Sequence, residues 1–142
     1  MKRFGGLLAA LCLSTLSAGG ETDKEVAAHK AVLDLAGAFS NDGFKMRDGH
    51  WTGSLKAHEN ALVAVNLYAG NQYWFSVGAT DPAKKIDVAI YDETGRKVTT
   101  EGYSEGERAA AGFSPTNSGQ YYVSISLVEG AESSFCLVYS YK

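Results

Sequence analysis

The chain is poor in the residues that carry most nucleophilic, acid–base and metal chemistry. Its 142 residues include only two cysteines and three histidines. Cys12 lies in an N-terminal leader, so Cys136 is the only cysteine beyond it and no intramolecular disulfide is expected there. His29, His50 and His58 lack the close pairing that zinc motifs repeat, so they read as surface or boundary residues and no metal role is expected of them. There is no Gly-x-Ser-x-Gly elbow and no phosphate-cradling glycine loop, and no cofactor is implied. Cys136 falls in a strand-like run, where an unpaired cysteine behaves as a small buried hydrophobe. A small secreted hydrolase built on residues around Tyr103 to Arg108 is an enzymatic alternative that no motif supports, and a non-enzyme is expected.

Positive charge is also thin. Of the 13 lysines and arginines two, Lys2 and Arg3, lie in the leader, whereas all 16 acidic residues lie beyond it. No basic stripe remains to displace counterions from a phosphate backbone, which argues against nucleic acid as a partner.

The leader has the order of an export signal. Lys2 and Arg3 precede an apolar run from Phe4 to Leu16, followed by the small residues Ser17, Ala18, Gly19 and Gly20. Residues 1–19 are therefore expected to be a signal peptide, cleaved near Ala18 to Gly20. The apolar run is shorter than the roughly 20 residues that cross a bilayer. Cys12, inside that run and preceded by Ala9, Ala10 and Leu11, is poorly placed to carry a lipid anchor. The expectation is a soluble monomer in the periplasm or outside the cell, with no membrane span after cleavage.

Residues 20–43 read as a helical segment. Thr22 and Glu25 fit a capping box, and Ala28, Val32, Leu35 and Phe39 form an apolar stripe widened by Ala31 and Leu33. The turn-forming "SNDG" stops it. From residue 44 to 142 the apolar period becomes two, with about eight short strands spaced as in a sandwich or barrel. "ALVAVNLY" and "QYWFSVGA" are joined by Ala69, Gly70 and Asn71, which predicts a β-hairpin. "KIDVAIY" turns at "DETG" into "RKVTTEG", and the charged "EGYSEGERA" reads as a mobile loop. In "QYYVSISL", Tyr121, Val123, Ile125 and Leu127 share the core side, leaving Tyr122, Ser124 and Ser126 on a wet face where Ser124→Asp is expected to be tolerated. Membrane-barrel strands need about 9 to 11 residues and a lipid-facing apolar band, which these lack. The fold class is all-β: an antiparallel, jelly-roll-like sandwich behind one amphipathic helix.

The succession "LYAGNQYWFSV", "KIDVAIYDETGRKV" and "GFSPTNSGQYYVSISL" resembles the bacterial pre-peptidase C-terminal (PPC) domain, a small β-sandwich commonly appended to secreted proteases. The likeness runs over about Trp51 to Tyr141. Its elements are an aliphatic strand closed by a small residue and Gly, an aromatic return strand, a Tyr-Asp-x-x-Gly turn and a Ser-Gly-x-Tyr segment. One departure is Lys85, where family members often carry a second acid two positions before the residue matching Asp87. The resemblance implies a free-standing accessory or binding module that engages a protein or polysaccharide, without peptidase activity.

Two further features bear on binding. Trp74 and Tyr122 leave the core face of their strands beside serines, where flat aromatics can stack on sugars or clamp a peptide. A carbohydrate-binding module is therefore the alternative reading. Cover by the helix accounts for the same two residues and is the preferred expectation. Asp87, Asp92 and Glu93 offer a peripheral calcium site at most, because a hard cation needs more oxygen ligands than one turn provides.

Overall fold

The computed structural model describes residues 21–142. The expected signal peptide lies outside the described residues. Helix α1 spans Asp23–Ser40. Nine strands follow: β1 (Lys45–Met46), β2 (Trp51–Leu55), β3 (Asn60–Leu67), β4 (Tyr73–Ala79), β5 (Ala83–Tyr91), β6 (Glu101–Glu105), β7 (Arg108–Phe113), β8 (Gly119–Gly130) and β9 (Ser133–Tyr141). They form a six-stranded sheet, ordered β1-β9-β4-β7-β6 with β2 also on β9, and a three-stranded sheet, β3-β8-β5. Every pairing is antiparallel. Apart from the β6–β7 hairpin and the run from β1 to β2, each connection crosses from one sheet to the other, which gives the sandwich its jelly-roll-like character.

The inner faces supply the core by strict alternation. Val65 and Leu67, then Tyr73, Phe75 and Val77, then Ile86, Val88 and Ile90 meet Tyr121, Val123, Ile125, Leu127, Phe135, Leu137 and Tyr139 in one buried cluster. Helix α1 closes the outer face of the six-stranded sheet. Its Ala28, Val32 and Ala36 bury Cys136 and Val138 of β9. The helix comes so close to β4 that a Cβ on Gly78 would stand 2.8 Å from the Val32 nitrogen, so only glycine fits there. Its start is the expected capping box: Glu25 N donates to Thr22 Oγ1 at 3.1 Å and Thr22 N to Glu25 Oε1 at 3.0 Å.

Four expectations need correction. The helix stripe runs through Ala36 and not Leu33, which is 39% exposed, because the sheet lies under a narrower arc than the apolar residues suggest. The segment after Leu67 is not a hairpin: β3 pairs with β8 while β4 pairs with β7 and β9, so the two strands face each other across the core. A local turn and a period of two fit either arrangement, and pairing partners decide between them. "EGYSEGERA" is not a loop but most of the β6–β7 hairpin, turning at Gly106 with φ 60°. All five β6 residues are exposed, so no apolar alternation marked this edge strand. Finally, Ser124 is only 5% exposed, and its hydroxyl accepts a hydrogen bond from Asn60 Nδ2. It sits between Leu62 and Ala89 in the middle strand of its sheet, so Ser124→Asp is expected to destabilise.

Candidate functional site

Trp74 and Tyr122 both point outward, but from different sheets, and they lie on opposite sides of the core. Tyr122 stands between Ala64 and Tyr91 on the three-stranded sheet, half-buried, its hydroxyl 3.2 Å from Gln120 Oε1. Helix α1 does not reach it. Trp74 is covered as expected of the helix. The Phe39 ring stacks on it with centroids 4.4 Å apart and planes 14° from parallel. Its six-membered ring also lies flat over Gly112 of β7, where a Cβ would come within 2.9 Å of the indole. Phe39 and the β7 backbone thus occupy the indole, which presents its edge.

That edge borders an open cleft of about 660 Å3 at the C-terminal end of the helix. Phe44 and Trp74 make its apolar wall, the main chains of Tyr73, Gly112 and Phe113 pass behind it with the two aromatic rings turned to the core, and Gln72, Thr99, Thr100, Glu101 and Ser114 form its polar rim. Lys142 closes one end, its Nζ donating to the Asp42 carbonyl at 2.7 Å and lying 4.8 Å from the Phe44 ring centroid. The mixture of apolar wall, hydroxyls and a carboxylate suits a chain with both apolar and hydrogen-bonding groups.

The acidic trio does not converge. Asp87 is on β5, exposed and opposite Ser126, whereas Asp92 follows that strand. At about 3.3 Å per residue the two are about 16 Å apart, too far to share an ion. Asp92 is already engaged: its Oδ1 accepts from Thr94 N, Thr94 Oγ1 and Arg96 N. Those bonds, the Thr94 hydroxyl first, hold its carboxyl below the usual range. It is a turn-forming aspartate.

The structure instead assembles a group that sequence spacing hid. His29 from the helix, His50 from the loop before β2 and Cys136 from β9 bring one ligand atom each within 4.8 Å of the others. The imidazoles stack with centroids 3.9 Å apart. Glu21 Oε2 lies 2.8 Å from His50 Nε2, and this bond chiefly lowers the Glu21 pKa. Cys136 is fully buried and its thiol is pushed up to about 12, first by burial and then by the charges of Glu21 and Glu25. The thiol is therefore neutral and unreactive as it stands. His58, the third histidine, lies apart in the β2–β3 turn with φ 66°.

No family model matches the chain, and no curated protein does. Among solved structures, the Aeromonas hydrophila PliG, a periplasmic lysozyme inhibitor of g-type lysozyme, superposes with a TM-score of 0.48 at 12% identity, over 71% of this chain and 90% of that one. Salmonella Typhimurium PliG gives 0.40 at 9% identity, over 66% and 90%. The SPBc2 prophage-derived protein YomS gives 0.31 at 15%, over 66% and 96%. Likeness at this level carries no functional information.

Proposed function

We propose that the chain is an exported, non-enzymatic binding module of the pre-peptidase C-terminal type, and that it holds an extended segment of a protein partner in the Trp74 cleft. The observation that carries this reading is the cleft itself: the Trp74 edge and Phe44 set in a rim of hydroxyl, amide and carboxylate groups. Helix and sheet backbone hold the wall rigid, so little side-chain order is lost when a ligand enters. A glycan would need a bare aromatic face. Trp74 has neither face free, being stacked on Phe39 and laid over Gly112. The peptide reading therefore stands ahead of the carbohydrate one. Export rests on the leader described above, and no helix among the described residues is long and apolar enough to cross a membrane.

The test uses residues 20–142 immobilised as bait for envelope and medium proteins, beside a Thr99→Arg/Ser114→Arg variant that fills the cleft from two exposed rim positions. A partner held by the parent and lost by the variant, with unchanged circular dichroism, supports the reading. A partner retained by the variant moves the binding surface elsewhere. Tryptophan emission shifted by soluble glycans, with no protein captured, restores the carbohydrate alternative.

A further inference from the structure

We propose that His29, His50, Cys136 and Glu21 form a zinc site that ties the N-terminal helix to the sandwich. Three elements far apart in sequence place two imidazoles and a thiol so that each ligand atom lies within 4.8 Å of the others. A tetrahedral ion with bonds of about 2.0–2.3 Å needs ligand atoms about 3.3–3.6 Å apart, so the cluster closes by about an ångström. Glu21 stands outside that trio but is bonded to His50, and it swings in with His50 to supply the fourth position. Its Oε2 faces His50 Nε2 across 2.8 Å, and the ion takes the place of the proton between them, which moves to Nδ1 so that the ring stays neutral. The charges favour this set: a divalent ion, one thiolate and one carboxylate sum to zero, so no net charge is left beside the buried Cys136. Two nitrogens, a sulfur and an oxygen suit zinc, and softness excludes magnesium or calcium.

The metal-free geometry shows what must move. The imidazole planes lie 23° apart and stacked, so their in-plane lone pairs run side by side and do not yet converge. His50 turns to meet the ion. Its side chain is 28% exposed, and it belongs to a loop, whereas His29 is fixed on the helix and Cys136 in the middle of β9. On binding, the Cys136 thiol gives its proton to solvent and its sulfur becomes an anionic ligand. The ion also overcomes the burial that otherwise keeps the thiol protonated. The described residues hold one cysteine and so cannot staple the helix by a disulfide among themselves, and a metal performs that task here.

Chelator-treated residues 20–142 are titrated with zinc against a chromogenic competitor, and in parallel with cobalt(II). The expected result is one ion per chain and a near-ultraviolet thiolate-to-cobalt charge-transfer band. Cys136→Ala, a small residue for a small buried one, retains the fold by circular dichroism but loses the band and at least about tenfold in zinc affinity. His29→Ala does the same. His58→Asn, which keeps a residue tolerant of positive φ outside the cluster, binds as the parent does. Zinc raises the melting temperature of the parent and not of Cys136→Ala. Zinc uptake unchanged in Cys136→Ala, or cobalt spectra without charge transfer in the folded parent, overturns the site.

Discussion

Gly78→Ala isolates the contact that seats the helix. Gly78 lies on the outer face of β4, a strand hydrogen-bonded on both sides to β7 and β9 and unable to retreat. The added Cβ would meet Val32 N at 2.8 Å, Val32 Cα at 3.1 Å and the Ala28 carbonyl oxygen at 3.2 Å. All three are backbone atoms, so no rotamer change relieves the clash and the helix itself must lift by several tenths of an ångström. Lifting loosens the layer of Ala28, Val32, Ala36, Cys136 and Val138, each 1% exposed or less. Overpacking of this kind costs about 1–3 kcal/mol. For a domain of this size, a loss of about 2 kcal/mol lowers the melting temperature by about 6–10 °C. Urea unfolding followed by circular dichroism gives the stability change, and hydrogen exchange over residues 23–40 shows whether the helix loosens first. Gly102→Ala on β6, with nothing within 4 Å of its Cβ, is the control and is expected within about 0.5 kcal/mol of the parent. Val32→Ala does not rescue Gly78→Ala, because the obstacle is the main chain. A Gly78→Ala protein as stable as the Gly102→Ala control would mean that the helix is not seated on β4.

Three more outcomes follow from single contacts. Tyr73→Phe removes the hydroxyl that accepts from Tyr68 N at 2.9 Å and Asn71 Nδ2 at 3.1 Å, and should cost about 1–2 kcal/mol in urea melts. Ser76→Ala deletes a buried hydroxyl that has no partner beneath the helix, and the same melts should show it neutral or stabilised by up to about 1 kcal/mol. Asp92 has a folded-state pKa below its ordinary value of 3.8, so its charge contributes stability above that value that is lost as pH falls through the folded one. Asp92→Asn keeps the acceptor oxygen without the charge. Melting temperatures from pH 6 down to 2 should therefore fall less steeply for the variant, and parallel curves would refute the assignment.

What was legible in the sequence is what local chemistry determines. The capping box of Thr22 and Glu25 formed because both partners lie within one turn. The inward sets of β3, β4, β5 and β8 are as alternation predicts, because a residue's side of a strand follows from parity alone. Pairing partners were not legible. The turn at Gly70, with φ 94°, joins two sheets, and nothing local to Ala69, Gly70 and Asn71 distinguishes a crossing from a hairpin. What fixes the crossing comes from elsewhere: Ala69 N donates to Ser118 Oγ, 49 residues on. The zinc ligands were hidden for the same reason. Motif spacing finds ligands that share a helix or loop, whereas His29, His50 and Cys136 meet only once helix α1 has docked on β9.

The turn-forming motifs of the strand region have one physical role in common. Asp92 organises the Tyr-Asp-x-x-Gly turn through bonds to Thr94 and Arg96, and Gly95 completes it at φ 86°. In the Ser-Gly-x-Tyr segment, Ser118 fastens the β3–β4 crossing and the Tyr121 hydroxyl donates to the Asn117 carbonyl at 2.7 Å, closing a corner on its own strand. These residues build turns and corners, so a sandwich can retain them whatever it binds. Helix α1, which precedes these motifs, sets Phe39 against Trp74 beside the cleft and contributes His29 to the histidine–cysteine cluster. Function on a common fold resides in what is added to it. Removal of residues 21–40 is therefore expected to leave the sandwich core paired while stripping Phe39 from Trp74 and removing the ligands Glu21 and His29. The exposed outer face of β4 and β9 should then red-shift tryptophan emission, measured in a Trp51→Phe background so that Trp74 alone reports. Emission unchanged by the deletion would mean that the helix does not cover Trp74, and with the face assigned to Phe39 open the carbohydrate reading would regain ground.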